Sequence, residues 1–177
     1  MTKLEQLLSQ YAAYHLDQKN IFTHFIGIPL IVFSIVCLTA RAGILFAGFE
    51  LTLALLLMIA SCIYYFILDR IFGIVMLVIF ALIYPLAYQI AQMQMASWFS
   101  LSIGIFVVGW LFQFVGHYYE KKKPAFFDDV IGLAIGPLFV LAEFVFLLGL
   151  RKDLKQRMVV EARKQRAEMD AKMVNFT

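Results

Sequence analysis

Four stretches of this chain, about residues 21–39, 44–68, 71–91 and 98–116, are apolar over roughly the 20 residues a helix needs to cross a bilayer, and short connectors join them. Such segments must satisfy their backbone hydrogen bonds internally, and helices do so. Composition agrees: 63% of the residues are hydrophobic, only 15% are charged, and the mean hydropathy is +0.84. The expected fold class is therefore all-α, an integral membrane helical bundle with four transmembrane helices. A fifth apolar segment, about 130–150, contains Gly136-Pro137 and is expected to break there, dipping into the membrane and returning or lying along the interface, with an ordinary fifth span as the alternative.

The ends of the chain read differently. Residues 3–16 place Leu4, Leu7, Leu8, Tyr11 and Tyr14 at three/four spacing, which predicts an amphipathic surface helix rather than a cleaved leader. Asn20 stands just before the first apolar run and is expected to cap a helix starting at Ile21. From Arg151 onward the chain is a charged, helical tail holding eight of the fifteen Lys and Arg together with four acids, a balance that fits a solvated helix and not a nucleic-acid partner. The division expected is one membrane domain over 1–150 and a cytoplasmic tail over 151–177. Cys37 and Cys62 lie in apolar runs without metal or redox spacing and are expected to be free. Lys121 to Lys123 mark their loop as cytoplasmic by the positive-inside rule.

With four crossings, the start of the first segment and the end of the fourth share a face of the membrane. That brings His15, His24 and His117 to one level, and they are the only histidines in the chain. On one continuous helix the nine residues from His15 to His24 turn through about 900° and leave the two rings on opposite sides. The chain must bend between them for the rings to converge, and Asn20 is the expected place. Three imidazoles are a ligand set for iron, zinc, copper or nickel that leaves coordination positions open, as catalytic sites do. The competing reading makes each histidine an interfacial side chain bonded to a neighbour.

Other polar residues are weighed the same way. Asp128 and Asp129 either cap the helix that follows or serve as an oxygen ligand or a partner orienting a histidine. Glu143 stands alone in AEFVFLLG and must be protonated, partnered or turned to a cavity. Gln113 precedes His117 by four residues, shares its helix face and is placed to bond to it or to substrate. Lys121 offers contact with anionic lipid or with a fatty-acid carboxylate. Tyr118 and Tyr119 fit an aromatic belt, and Glu50, Asp69 and Arg70 are ordinary solvated groups. The sequence has no G-x-x-x-x-G-K, G-x-S-x-G or H-E-x-x-H, so nucleotide hydrolysis and the common serine and zinc hydrolase designs lack their residues.

Two patterns carry a family resemblance. Y-x-x-Y-H-x-x-x-x-N-x-x-x-H-x-x-G-x-P runs from Tyr11 to Pro29, and G-W-x-x-Q-F-x-G-H-x-x-E-x-K-x-P-A-x-x-D from Gly109 to Asp128. The chain resembles, from Tyr11 to about Leu150, the membrane family of iron-dependent 2-hydroxy-fatty-acid dioxygenases known for alpha-oxidation in phytosphingosine breakdown. Many of that family carry Asn-Pro where this chain has Asp17-Gln18, a departure that touches the local bend and no candidate ligand. The resemblance implies Fe(2+) held by His15, His24 and His117, with Asn20, Gln113, Lys121, Asp128, Asp129 and Glu143 as supporting or substrate-contacting residues. It further implies O2 and a 2-hydroxy fatty acid as substrates, cleavage of the C1–C2 bond, and residence in a bacterial inner membrane or the endoplasmic reticulum membrane. Two alternatives are another histidine-metal lipid hydrolase or hydroxylase, and a non-catalytic membrane scaffold or carrier.

Overall fold

A computed structural model describes residues 1–122 and 131–174. Its described residues form seven helices and one hairpin: α1 (Lys3–Ala12), α2 (Gln18–Thr39), β1 (Gly43–Phe46), β2 (Phe49–Thr52), α3 (Leu53–Leu68), α4 (Arg70–Ala91), α5 (Met95–Glu120), α6 (Ile131–Leu147) and α7 (Lys152–Val174). The protein is an all-α membrane bundle, as expected. Three helices, α2, α4 and α5, are long and apolar enough to cross a membrane, while α3 and α6 are shorter apolar helices. Two compact units divide the chain, one made of residues 1–25 and 113–177, the other of residues 26–112.

The unit of residues 26–112 corrects the second expected crossing. The run 44–68 is not one helix, because its first part folds as an antiparallel hairpin in which Gly43 pairs with Thr52 and Phe46 with Phe49. The two turn residues, Ala47 and Gly48, both have positive φ, 49° and 86°. A two-residue hairpin turn of the primed kind needs that conformation at both positions, and glycine supplies it freely. Helix α3 starts only after Thr52, whose hydroxyl caps it by accepting the Leu55 N–H at 3.2 Å. Its 16 residues span about 24 Å at helical rise, short of a roughly 30 Å hydrocarbon core.

Asp69 ends α3 and starts α4, its carboxylate accepting the N–H groups of Ile71 and Phe72, each at 3.0 Å. The two helices then pack closely: a Cβ on Gly73 would lie 2.5 Å from the Phe66 Cα. In the same unit the Trp98 indole donates to the Cys37 carbonyl at 2.9 Å, and Arg41 donates to the carbonyls of Ala91 and Met93. Leu56, Ile59, Ile63, Ile67, Ile74, Leu77, Leu82 and Leu86 are exposed, an outer face as apolar as lipid requires. Cys37 and Cys62 are free thiols.

In the unit of residues 1–25 and 113–177, α1 packs on α6 and α7. A capping box starts α1: Thr2 accepts the Glu5 N–H at 3.2 Å, and the Glu5 carboxylate accepts the Thr2 N–H at 2.9 Å. The Gly136-Pro137 pair does not break α6, contrary to expectation, and Ile131–Leu147 is one helix with Pro137 inside it. Proline costs a helix one internal bond, and a short apolar helix held by packing absorbs that loss. The helix ends instead near Gly149, where φ is +76°. The tail helix α7 is not solvated all round, since Leu154, Met158 and Ala162, at four-residue spacing, are buried.

Gly73→Ala should destabilise the α3–α4 pair by about 1–3 kcal/mol, because its methyl group meets backbone and not a movable side chain. Thermal unfolding in detergent measures this, and an unchanged Tm would mean the helices can separate without loss.

Candidate metal centre

The histidines are placed by three chain segments of one unit. At the end of α1 the chain tightens, with Tyr14 N–H donating to the Tyr11 carbonyl at 3.1 Å and His15 N–H to the Ala12 carbonyl at 2.9 Å. This turn, not Asn20, is the bend that two converging histidines require. Asp17 rather than Asn20 then opens α2, its carboxylate accepting the Lys19 N–H at 2.7 Å. Aspartate caps as well as asparagine does, and it comes first in the chain. Asn20 is therefore inside the helix, fully buried, and available for other work.

His15, His24 and His117 all converge. Ring centroids are 4.5 Å apart for His15 and His24, 4.9 Å for His15 and His117, and 5.1 Å for His24 and His117, each pair edge to face. All three rings are buried, and one ligand nitrogen from each lies within 4.8 Å of the others.

Backbone bonds set the tautomers. His15 Nδ1 is 2.7 Å from the Tyr11 carbonyl oxygen and His24 Nδ1 is 2.9 Å from that of Asn20, each four residues earlier. A carbonyl can only accept, so both Nδ1 atoms carry the proton and both Nε2 atoms keep a lone pair. Those Nε2 atoms, and Nδ1 of His117, are buried without a hydrogen-bond partner among the described residues. Three buried lone pairs in a group are costly unless something electron-poor meets them, and a metal cation fits that need. Burial, with His24 and His117 nearby, holds His15 well below the usual imidazole range and keeps it neutral.

Apolar contacts hold the rings in place. Tyr11 lies flat on His15 at 4.2 Å with an interplanar angle of 6°, and Phe139 of α6 stands 4.9 Å from Tyr11 and 5.7 Å from His15. Burial pushes the Tyr11 phenol up, so it stays protonated. Gly116 allows α5 to approach α2, since a Cβ there would fall 2.2 Å from Thr23 Oγ1 and 2.4 Å from Asn20 Oδ1.

The remaining candidates separate clearly. Gln113 is buried, and its Nε2 has no partner among the described residues, so of the two expected partners, His117 and substrate, that nitrogen does not meet His117. Asn20 Oδ1 is likewise buried without a partner. Glu143 is buried on α6, outside the three-histidine cluster. Lys121 lines an open cavity of about 560 Å³ together with His117, Tyr118, Tyr119 and Lys122. Asp128 and Asp129 lie outside the described residues.

Sequence reasoning missed Glu120, although it lies in the second motif. Its side chain is 2% exposed and accepts the Asp17 N–H at 2.7 Å, the Asn20 side-chain amide at 3.1 Å and an Arg166 guanidinium nitrogen at 2.9 Å. No spacing signal separates Arg166 from the other bases of the tail.

Fold and site together define a class: an all-α membrane protein with a buried cluster of three histidines able to hold a metal ion. The model of the family described as 2-hydroxy-palmitic acid dioxygenase Mpo1-like matches residues 1–148, and the chain belongs to that family. It is 34% identical over 156 residues to the 2-hydroxy-palmitic acid dioxygenase MPO1 of Saccharomyces cerevisiae, a match covering 86% of this chain and 85% of the yeast protein. No solved structure matches it.

Gly116→Ala should push α5 off the first turns of α2 and lower metal affinity at least about tenfold. Isothermal titration with Co(2+) reads the change; wild-type affinity would mean that the close approach is unimportant.

Proposed function

We propose that this protein is an Fe(2+)-dependent dioxygenase that shortens 2-hydroxy fatty acids by one carbon. The observation that carries the reading is the trio of buried, unpartnered imidazole nitrogens in a chain belonging to the 2-hydroxy-palmitic acid dioxygenase Mpo1-like family. His15, His24 and His117 would hold the iron, which when bound supplies redox chemistry with O2 and open positions for substrate. The overall exchange balances as 2-hydroxy acid plus O2 giving the acid one carbon shorter, carbon dioxide and water, with the C1–C2 bond broken.

The protein's own groups bind and orient. Gln113 Nε2 is a buried donor suited to the substrate carboxylate, and Asn20 Oδ1 a buried acceptor suited to the 2-hydroxyl. Tyr11 and Phe139 keep His15 in a dry environment, and Nδ1–H bonds to backbone fix two of the rings before any ligand arrives. The cavity beside His117 carries Lys121 on its wall, a charge suited to an anionic headgroup, while Lys122, also on that wall, is paired with Asp170. The acyl chain would remain in the bilayer.

Metal analysis of the detergent-purified protein should find about one iron per chain. His24→Ala should lose it, and O2 uptake with 2-hydroxypalmitate should fall by more than about 100-fold. Zinc in place of iron would redirect the reading to hydrolysis; a chain that binds no metal at all would sink it. Gln113→Leu should keep the metal and raise KM for 2-hydroxypalmitate about tenfold, the effect of one lost charge-assisted hydrogen bond. An unchanged KM would remove Gln113 from the substrate site.

A further inference from the structure

The Glu120 carboxylate divides its two oxygens between chain segments. Oε2 accepts the Asp17 N–H and the Asn20 side-chain amide, while Oε1 accepts Nη1 of Arg166. Arg166 stands on α7, and its Nη1 also donates to the Ala13 carbonyl at 2.8 Å and its Nη2 to the Glu120 carbonyl at 3.3 Å. Every segment that bears a histidine is thus tied to one ion pair. Ala13 is two residues before His15, Asn20 supplies the carbonyl that holds His24 Nδ1, and Glu120 is three residues after His117. The pair is nearly dry, with 17% of the Arg166 side chain and 2% of that of Glu120 exposed.

Two further observations separate this contact from a generic brace between α1 and α7. Arg157 also bridges these helices, to Glu5 at 2.8 Å, yet its side chain is 55% exposed, and Glu5 belongs to the capping box at the far end of α1. Arg166 lies beyond residue 148, where the family match ends. We propose that Arg166, through Glu120, is a positioning residue for the three-histidine centre, so that α7 completes the site from outside the matched region.

Without the guanidinium, the buried Glu120 carboxylate loses the ion-pair partner that fixes its Oε1, and a carboxylate free to turn loosens its hold on Asp17 and Asn20. The His24 ring follows, because its Nδ1–H bonds to the Asn20 backbone. This role rests on the three-histidine reading for its metal readout, and on hydrogen bonds alone for its metal-free readout.

The test compares full-length wild type with Arg166→Met, Arg166→Lys and Arg157→Met in detergent. Long-range 1H–15N spectra of the metal-free imidazoles report the Nδ1–H bonds, Co(2+) titration followed by visible absorption reports the metal site, and Tm reports the fold. Arg166→Met should shift the His24 imidazole signals and weaken Co(2+) binding about tenfold or more, as loss of a partner behind a ligand does. Arg157→Met should leave both at wild type even where its Tm falls. Arg166→Lys, which keeps the charge and loses the fork, should fall between. Wild-type imidazole signals in Arg166→Met, with a Tm loss like that of Arg157→Met, would overturn the proposal and leave α7 as a brace. If Arg166→Met does not fold, Arg166→Lys decides by the same spectra, displaced signals supporting the role and wild-type signals rejecting it. A wild type that takes up no Co(2+) would remove the metal reading, and the imidazole spectra alone would then decide the role of Arg166.

Discussion

An imidazole taken out of water has two nitrogens to satisfy, and a backbone carbonyl can serve only the one that carries the proton. His15 and His24 meet this constraint in the same way, each ring turning back to donate to the carbonyl four residues earlier. The local chain geometry follows from it. A carbonyl in the last turn of α1, shared with the Tyr14 N–H, and one inside the first turns of α2 become the anchors, and the opposite nitrogen of each ring is left bare. A bare lone pair in a dry place is unfavourable alone and valuable in a group, which is the physical basis of a ligand set. Tyr11, Phe139 and Gly116 make that place dry and narrow.

The two compact units spend their residues on different problems. In residues 26–112 the apolar side chains point outward as well as inward, and polar groups act as fasteners at element ends: Asp69 and Thr52 as caps, Arg41 on the carbonyls that close α4. In residues 1–25 with 113–177 the buried set includes His15, Asn20, His24, Gln113, His117, Glu120 and Glu143. Burying so many polar groups costs stability unless they are paired, and several of them are not paired among the described residues. That concentration is where the three-histidine cluster sits.

Much of this was legible from residue order. Segments α2, α4 and α5 were visible as apolar runs of sufficient length, but bringing the three histidines to one level rested on a fourth crossing over 44–68, of which only the shorter helix α3 forms. Where reading the sequence fell short, tertiary geometry decided. The run from Ile44 to Leu68 is apolar on average, so hydropathy alone did not distinguish a hairpin from a helix; the signals against one helix were Gly48, Glu50 and Thr52 in its first part. Gly136-Pro137 looked like a break because proline ends helices in water, but packing on α1 holds α6 together across it. Asn20 was expected as a cap since nothing in a linear chain reveals that Asp17 takes that task first. Arg166 left no trace at all, because its meaning comes from Glu120, forty-six residues earlier.

The outward-facing leucines and isoleucines of α3 and α4 are exposed, and toward lipid one apolar side chain does as well as another. Those positions can drift over evolutionary time at little cost. The polar minority of the histidine-bearing segments is more constrained, because His15, Asn20, His24 and Glu120 make hydrogen bonds that another side chain would not reproduce. Divergence in such a chain is therefore uneven by construction. Two such chains could differ widely at the lipid-facing positions and still share the buried polar set, so kinship here is better judged by that set than by the average over the whole length.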